Sequence, residues 1–255
     1  MGLDIYAGTL TRYYAKNWKT SAQQWAEEHG YSYSRIMPDG GTAEEELSAA
    51  EAQAIVENWR DQILAAITPA GKEPYAPWPE DNVKPYYTDK PDWDALGAML
   101  LVAACHVYGE QIPATVKKGW DFMEHPAIKR LAEDPEKVWS LFRGATWWLP
   151  ITDGFFFHGP LPNENSAIIG TTGCLRRELE RLNELAWQAD ENRILSWTSS
   201  EGYPADGEMS VDGTYTELAN NTEYDTQSLA KYAFSIFYQA LKFAEEQQVP
   251  ILMDY

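Results

Sequence analysis

In SAIIGTTGCLRREL, residues 166–179, an apolar run ends in a Gly-containing turn and a helical pattern begins. This places Cys174 in the first turn of a helix, where the dipole favours a nucleophilic thiolate. His158 precedes it by a strand and a turn, and Asp153 lies close to His158 in sequence. Cys174 as nucleophile, His158 as base and Asp153 as orienting group is the set a Cys-dependent hydrolase or transferase would use. A structural reading competes with it: a free Cys is most often a small buried hydrophobe, and a His beside Leu149 and Phe156 a satisfied core residue. The same turn offers helix N–H groups with Arg176 and Arg177 one turn in, the makings of an anion site. It contains neither GK[ST] nor G-x-G-x-x-G, and Thr171 or Thr172 as an N-cap accounts for the same residues.

Other chemistry is thinly represented. The four histidines are scattered, with no H-E-x-x-H, and two cysteines (Cys105 and Cys174) cannot build a four-thiolate zinc site. Cys105 and His106 are adjacent on one helical segment and point apart. DGEMSVDG lacks the spacing of a calcium loop and reads as solvated chain. No metal and no cofactor are expected.

Composition narrows the partners. The chain carries 39 acidic against 20 basic side chains, a net charge of -19. That field repels nucleic-acid phosphates and anionic lipids and speeds encounter with a basic protein, so the expected partner is basic, with no nucleic acid and no membrane. Solubilising an aromatic-rich surface (11 Trp and 15 Tyr) is the competing explanation of the acidity. Two acidic segments are the candidate contacts. One is Glu44, Glu45, Glu46 and Glu51 at a helix start, where the structural alternative is charge complementing the dipole. The other is Asp206, Glu208, Asp212, Glu217 and Glu223, within a 201–225 stretch of seven acids and no Lys or Arg. No window approaches the ~18 apolar residues of a membrane span, and no signal-peptide pattern opens the chain, so the expected setting is a reducing cytoplasm.

The elements that must position these groups follow from periodicity. Leu3, Ile5 and Ala7 alternate as a strand and VPILMDY reads likewise, which puts both ends in one sheet and makes 1–255 a single domain. A helix is expected over 43–67, with capping boxes at Thr42/Glu45 and Ser48/Glu51. A Pro- and Tyr-rich connection at 68–90 follows, with Tyr75, Trp78, Tyr86 and Tyr87 docked on the surface. Pro91 opens the next helix, with Asp92 and Asp94 in its first turn; apolar nearly all round, it must be central. Further helices are expected near 125–132, 135–143, 173–190, 192–199 and 226–247, with 201–225 an acidic loop. In TWWLPITDGFFFHGP, Asp153-Gly154 signals a two-residue hairpin that sets Ile151 against Phe156 and Leu149 against His158. Both faces of that hairpin are apolar, as in a sheet interior between helices, and Pro150 demands a longer loop, a bulge or an edge. The fold class is α+β: a small, mainly antiparallel sheet, including the N- and C-terminal strands, surrounded by many helices.

The opening MGLDIYAGTLTRYYAKNW, the interior KPYYTDKPDWDAL and the closing PILMDY together resemble a group of uncharacterised bacterial proteins over the full length of the chain. This resemblance implies no activity and no site residue. In general character (acidic, Trp-rich, without a catalytic motif) the chain is similar to immunity proteins of polymorphic toxin systems. That likeness implies a binding protein that neutralises a toxin by occluding its active site; a housekeeping interaction protein is the bland counterpart.

Overall fold

Two short segments with strand alternation, far apart in sequence, lie side by side in the computed structural model of the chain. It describes residues 2–31, 47–204 and 222–255, with the backbone of two further strands at 207–209 and 215–217. The chain runs β1 (Asp4–Ala7), α1 (Leu10–Tyr14), α2 (Ser21–Glu28), α3 (Ala49–Ile67), β2 (Tyr87–Asp89), α4 (Trp93–Tyr108), β3 (Thr115–Lys117) and α5 (Pro126–Glu133). It continues through β4 (Ala145–Leu149), β5 (Phe156–Pro160), β6 (Ser166–Thr171), α6 (Thr172–Ala186) and α7 (Glu191–Ser200). The remaining elements are β7 (Gly207–Met209), β8 (Tyr215–Glu217), β9 (Glu223–Asp225), α8 (Thr226–Gln247) and β10 (Ile251–Asp254). The fold is α+β, with a six-stranded mixed sheet in the order β2-β1-β10-β4-β6-β5 among the helices. All its pairings are antiparallel except β4–β6. As expected, the two terminal strands pair, with Ile5 opposite Met253.

Period-two alternation gives this sheet two apolar faces. Leu3, Ile5, Ala7, Ile251, Met253 and Trp148 turn to one side, covered by α4, α5, α6, α7 and α8. Every residue of α4 from Ala95 to Cys105 is buried, so that helix is central as its composition demands. Tyr6, Leu252, Trp147 and Leu149 turn to the other side, covered by α1, α3 and the 75–86 segment. A register shift between Ala145 and Trp147 re-phases β4, which is why Ala145 joins the first face and Trp147 the second.

Local signals account for the helix ends. Ser48 and Glu51 form the expected reciprocal capping box of α3, which makes the helix start at Ala49 and not at the expected 43; Thr42 and Glu45 lie outside the described residues. Asp92, at φ 58°, caps α4, one residue after Pro91. His29 ends α2 and His125 starts α5 by accepting the Ala127 N–H. The 68–90 connection is docked: Trp78 is buried and Tyr75, Tyr86 and Tyr87 are half-buried.

Three expectations are corrected. Trp147-to-Phe157 is not a hairpin: β6 lies between β4 and β5, so the Asp153-Gly154 loop spans the end of an intervening strand. Phe156 therefore faces Gly170 and His158 faces Ile168, not Ile151 and Leu149. Pro150 sits in that loop, and β5 is an edge strand. Second, 135–143 forms turns and no helix. Asp134 accepts the Glu136 and Lys137 N–H groups, and a distant carboxylate takes those of Ser140 and Leu141, so helical partners are displaced. Third, the acidic 201–225 stretch is not only loop. It contains the β7–β8 pair, and β9 pairs with β3 through Val116 opposite Tyr224.

Candidate functional site

The junction of β6 and α6 is where the sequence concentrates its chemistry. Thr171 is the N-cap of α6, its hydroxyl accepting the Cys174 N–H at 3.2 Å and donating to the Asp153 carbonyl at 2.5 Å. The Gly173 N–H and the Thr172 hydroxyl both donate to the Ile151 carbonyl, at 2.9 and 3.1 Å. The 150–155 loop is thus sewn onto the first turn of α6. A side chain at Gly173 would collide with the Thr152 carbonyl. These contacts correct the anion reading of this turn: the Gly173 and Cys174 N–H groups are taken by the chain itself, and Arg176 is paired with Glu245.

Cys174 faces inward. Its thiol donates to Glu178 Oε1 at 3.2 Å, one helical turn on. Glu178 is buried and also accepts the Ser140 N–H, the Ser140 hydroxyl (3.0 Å) and the Leu141 N–H (3.2 Å). Trp148 Nε1 completes the network on Ser140 Oγ at 3.1 Å. Burial, then the adjacent Glu178 carboxylate, pushes the Cys174 thiol up to about 12. The dipole expectation is therefore reversed: desolvation and a like charge outweigh the helix N-terminus, and the thiol stays protonated at neutral pH.

The other two members of the sequence-derived set lie elsewhere. Asp153 is exposed and accepts the Tyr75 hydroxyl at 3.0 Å. Tyr75 belongs to the opposite face of the sheet from the Leu175–Leu179 stripe of α6. His158 is exposed on the edge strand β5. Among the described residues no hydrogen bond joins Cys174 to His158, or His158 to Asp153. His158 pairs with Ile168, whereas Cys174 lies beyond Thr171 at the C-terminal end of β6, so the β5–β6 register sets the two apart along the strand.

The acidic set divides. Glu51 accepts the Ser48 N–H at 3.0 Å and the Ser48 hydroxyl, and those bonds hold its carboxyl below the usual range. Glu223 is exposed on β9 and accepts the Thr115 hydroxyl at 2.9 Å. Glu208 and Glu217 are placed on β7 and β8, opposite Thr216 and Gly207. Glu44, Glu45, Glu46, Asp206 and Asp212 lie outside the described residues.

Three carboxylates of consequence carry little sequence signal. Glu80 is buried and accepts the Leu10 and Thr11 N–H groups at the start of α1, with Trp78 Nε1 as a third donor. Burial raises its pKa and those donors oppose the rise. Asp4 is pushed up to about 6, chiefly by burial, with Lys90 opposing and Asp254, Asp92 and Asp89 adding to it. Glu178 alone was detectable, as an acid between Leu175, Leu179 and Leu182 in an otherwise apolar stripe. Among the described residues no group of three His, Cys, Asp or Glu side chains is arranged to hold a metal ion. Nor is any described helix long and apolar enough to cross a membrane.

Comparison with protein-family models, with curated proteins and with solved structures gives no match to this chain.

Proposed function

We propose that this chain is an acidic binding protein of the cytoplasm that neutralises a basic protein toxin by covering its active site. The net charge of -19 carries the reading. Paired one to one with every Lys and Arg, the acidic side chains would still leave that excess, and a field of this sign accelerates association with a cationic surface. The way the ionisable core is used supports it as well. Glu80 and Glu178 are occupied in holding backbone N–H groups, and Cys174 is held protonated. These groups serve the fold, which favours a function carried by the surface.

The partner meets acids outside these networks: Glu223, exposed on β9, together with Asp206, Glu208, Asp212 and Glu217 of the same acidic segment. Salt-dependent association kinetics with purified basic toxin domains test this, alongside growth rescue by co-expression. The expected result is one stoichiometric complex whose on-rate falls steeply between low and physiological salt. An on-rate indifferent to salt, or no rescue from any toxin encoded beside this gene, overturns it.

A further inference from the structure

A cavity of about 470 Å³ opens beside the β6–α6 junction, walled by Trp139, Phe155 and Phe156 and bordered by Arg177 and Arg181, with Cys174 at its floor. Its volume lies in the range of small-molecule sites. Three features set it apart from ordinary surface.

Phe156 is the first. Every other Phe of the chain belongs to one of the two apolar cores or packs against it; Phe156 joins neither, and stays half-exposed at the cavity wall. The second is Arg177, exposed and without an ion pair to any described residue. Its guanidinium lies against the backbone of Gly154, so closely that a Cβ there would overlap Nη2, Cζ and Nε. Only glycine lets that planar group lie against the loop. Third, Arg177 and Arg181 are four residues apart on α6, so two cations share one helix face, an arrangement that is mildly unfavourable until an anion joins them. Among the described residues Arg181 is held by an exposed bridge to Glu184 at 3.3 Å, which is easily exchanged. Glu178 also lines the cavity, and both its oxygens are occupied by donors from its own chain.

We infer that this cavity binds a small anion with an aromatic body. The ring lies between Trp139 and Phe156, and a carboxylate or phosphate head meets the forks of Arg177 and Arg181. On a chain this acidic, a concave spot with two guanidiniums and one internally satisfied carboxylate runs against the overall field. A second cavity, between α6, α7 and α8, lacks this character: its rim cations Arg176 and Lys242 are already paired with Glu245 and Glu191. The inferred site uses none of the acidic surface assigned to the protein partner, so either assignment can fail without the other.

The test is titration of the ¹⁵N-labelled full chain with phenylacetate and with phenyl phosphate, using phenylacetamide and inorganic phosphate as controls. Saturable amide shifts at 138–139, 154–156 and 174–181 are expected from at least one aryl anion, and the tighter of the two names the head group. Phenylacetamide and inorganic phosphate should bind at least tenfold more weakly. Arg177→Gln, an exposed substitution that leaves the unfolding temperature unchanged, should lower affinity at least tenfold, and Phe156→Ala should abolish the preference for phenyl phosphate over inorganic phosphate. The inference is overturned if neither aryl anion saturates or if inorganic phosphate binds as well as phenyl phosphate. It is equally overturned if Arg177→Gln and Arg181→Gln both bind like the parent.

Discussion

The two faces of the six-stranded sheet are sealed by different means. On one, α4 and α8 lay long apolar surfaces against Ile5, Trp148 and Ile251, and helical hydrogen bonding satisfies the backbone internally. On the other, α3 shares the work with the irregular 75–86 segment, whose backbone groups find partners among side chains. Gln53 Nε2 donates to the Glu80 carbonyl at 3.1 Å, Arg60 to the Trp78 carbonyl at 2.6 Å, and Thr9 to the Asp81 carbonyl at 2.5 Å, while Trp59 Nε1 ties α3 to the Pro160 carbonyl of β5 at 2.7 Å. Each face also contains one buried glutamate that collects N–H groups, Glu178 on the first and Glu80 on the second. The difference teaches that a sheet face can be closed without regular structure, provided the covering chain is aromatic and its polar groups are tied point by point.

The contrast breaks most visibly at the two glutamates. Glu178→Ala strands two backbone donors, a hydroxyl and a thiol within the helical face, and a loss of about 3–5 kcal/mol in denaturant unfolding is expected. Glu80→Ala should cost about 2–3 kcal/mol. Its effect should be local, raising amide exchange in α1 and the 75–86 segment while α4 and α8 stay protected. Uniform loss of protection in both variants would show that the faces do not differ in this way.

Smaller perturbations sharpen it. Trp59→Phe keeps the aromatic contact with Trp147 and removes the bond to Pro160, for about 1 kcal/mol. Asp4 marks the polar margin of the same face, opposite Asp254, whose Oδ1 accepts the Tyr13 hydroxyl. Its folded pKa of about 6 lies above its ordinary 3.8, so the native state binds the proton more tightly. Stability is then lost as pH rises from about 4 through 6. Asp4→Asn should therefore stabilise by about 1 kcal/mol at pH 7.5, after allowance for solvent screening, and by nothing at pH 4. Thermal melts across that range check it. Smallest in energy is the thiol: iodoacetamide at pH 8 should alkylate native Cys174 at least a hundredfold more slowly than the unfolded chain, read by mass spectrometry.

What was legible in the sequence is what local physics controls. Ser48 and Glu51 cap α3 as their spacing requires, α8 follows its apolar period, and β1 and β10 follow their alternation. The fold class follows from these. The misread parts are those where a distant group outbids a local one. Asp153-Gly154 has the chemistry of a tight turn, yet β6 offers both β4 and β5 a better partner than they offer each other. Residues 135–143 have helical spacing, yet Glu178 takes their N–H groups from α6. For the candidate site, position was legible and state was not. Cys174 does start a helix, but the carboxylate four residues on and the Ser140 turn decide its protonation, and no spacing rule brings Ser140 to that place. The cavity beside it draws on three separated stretches of chain, and of its polar lining the sequence points only to Cys174 and Arg177 at the helix start.

β10 lies between β1 and β4. During synthesis the sheet therefore exists as two unconnected fragments, β2-β1 and β4-β6-β5, until Asp254 has cleared the ribosome exit tunnel. Ile5, Tyr6 and Trp148 wait in the meantime with their strand edges open. A nascent chain built this way depends on whatever shields those edges, and a stall short of residue 251 would expose both at once.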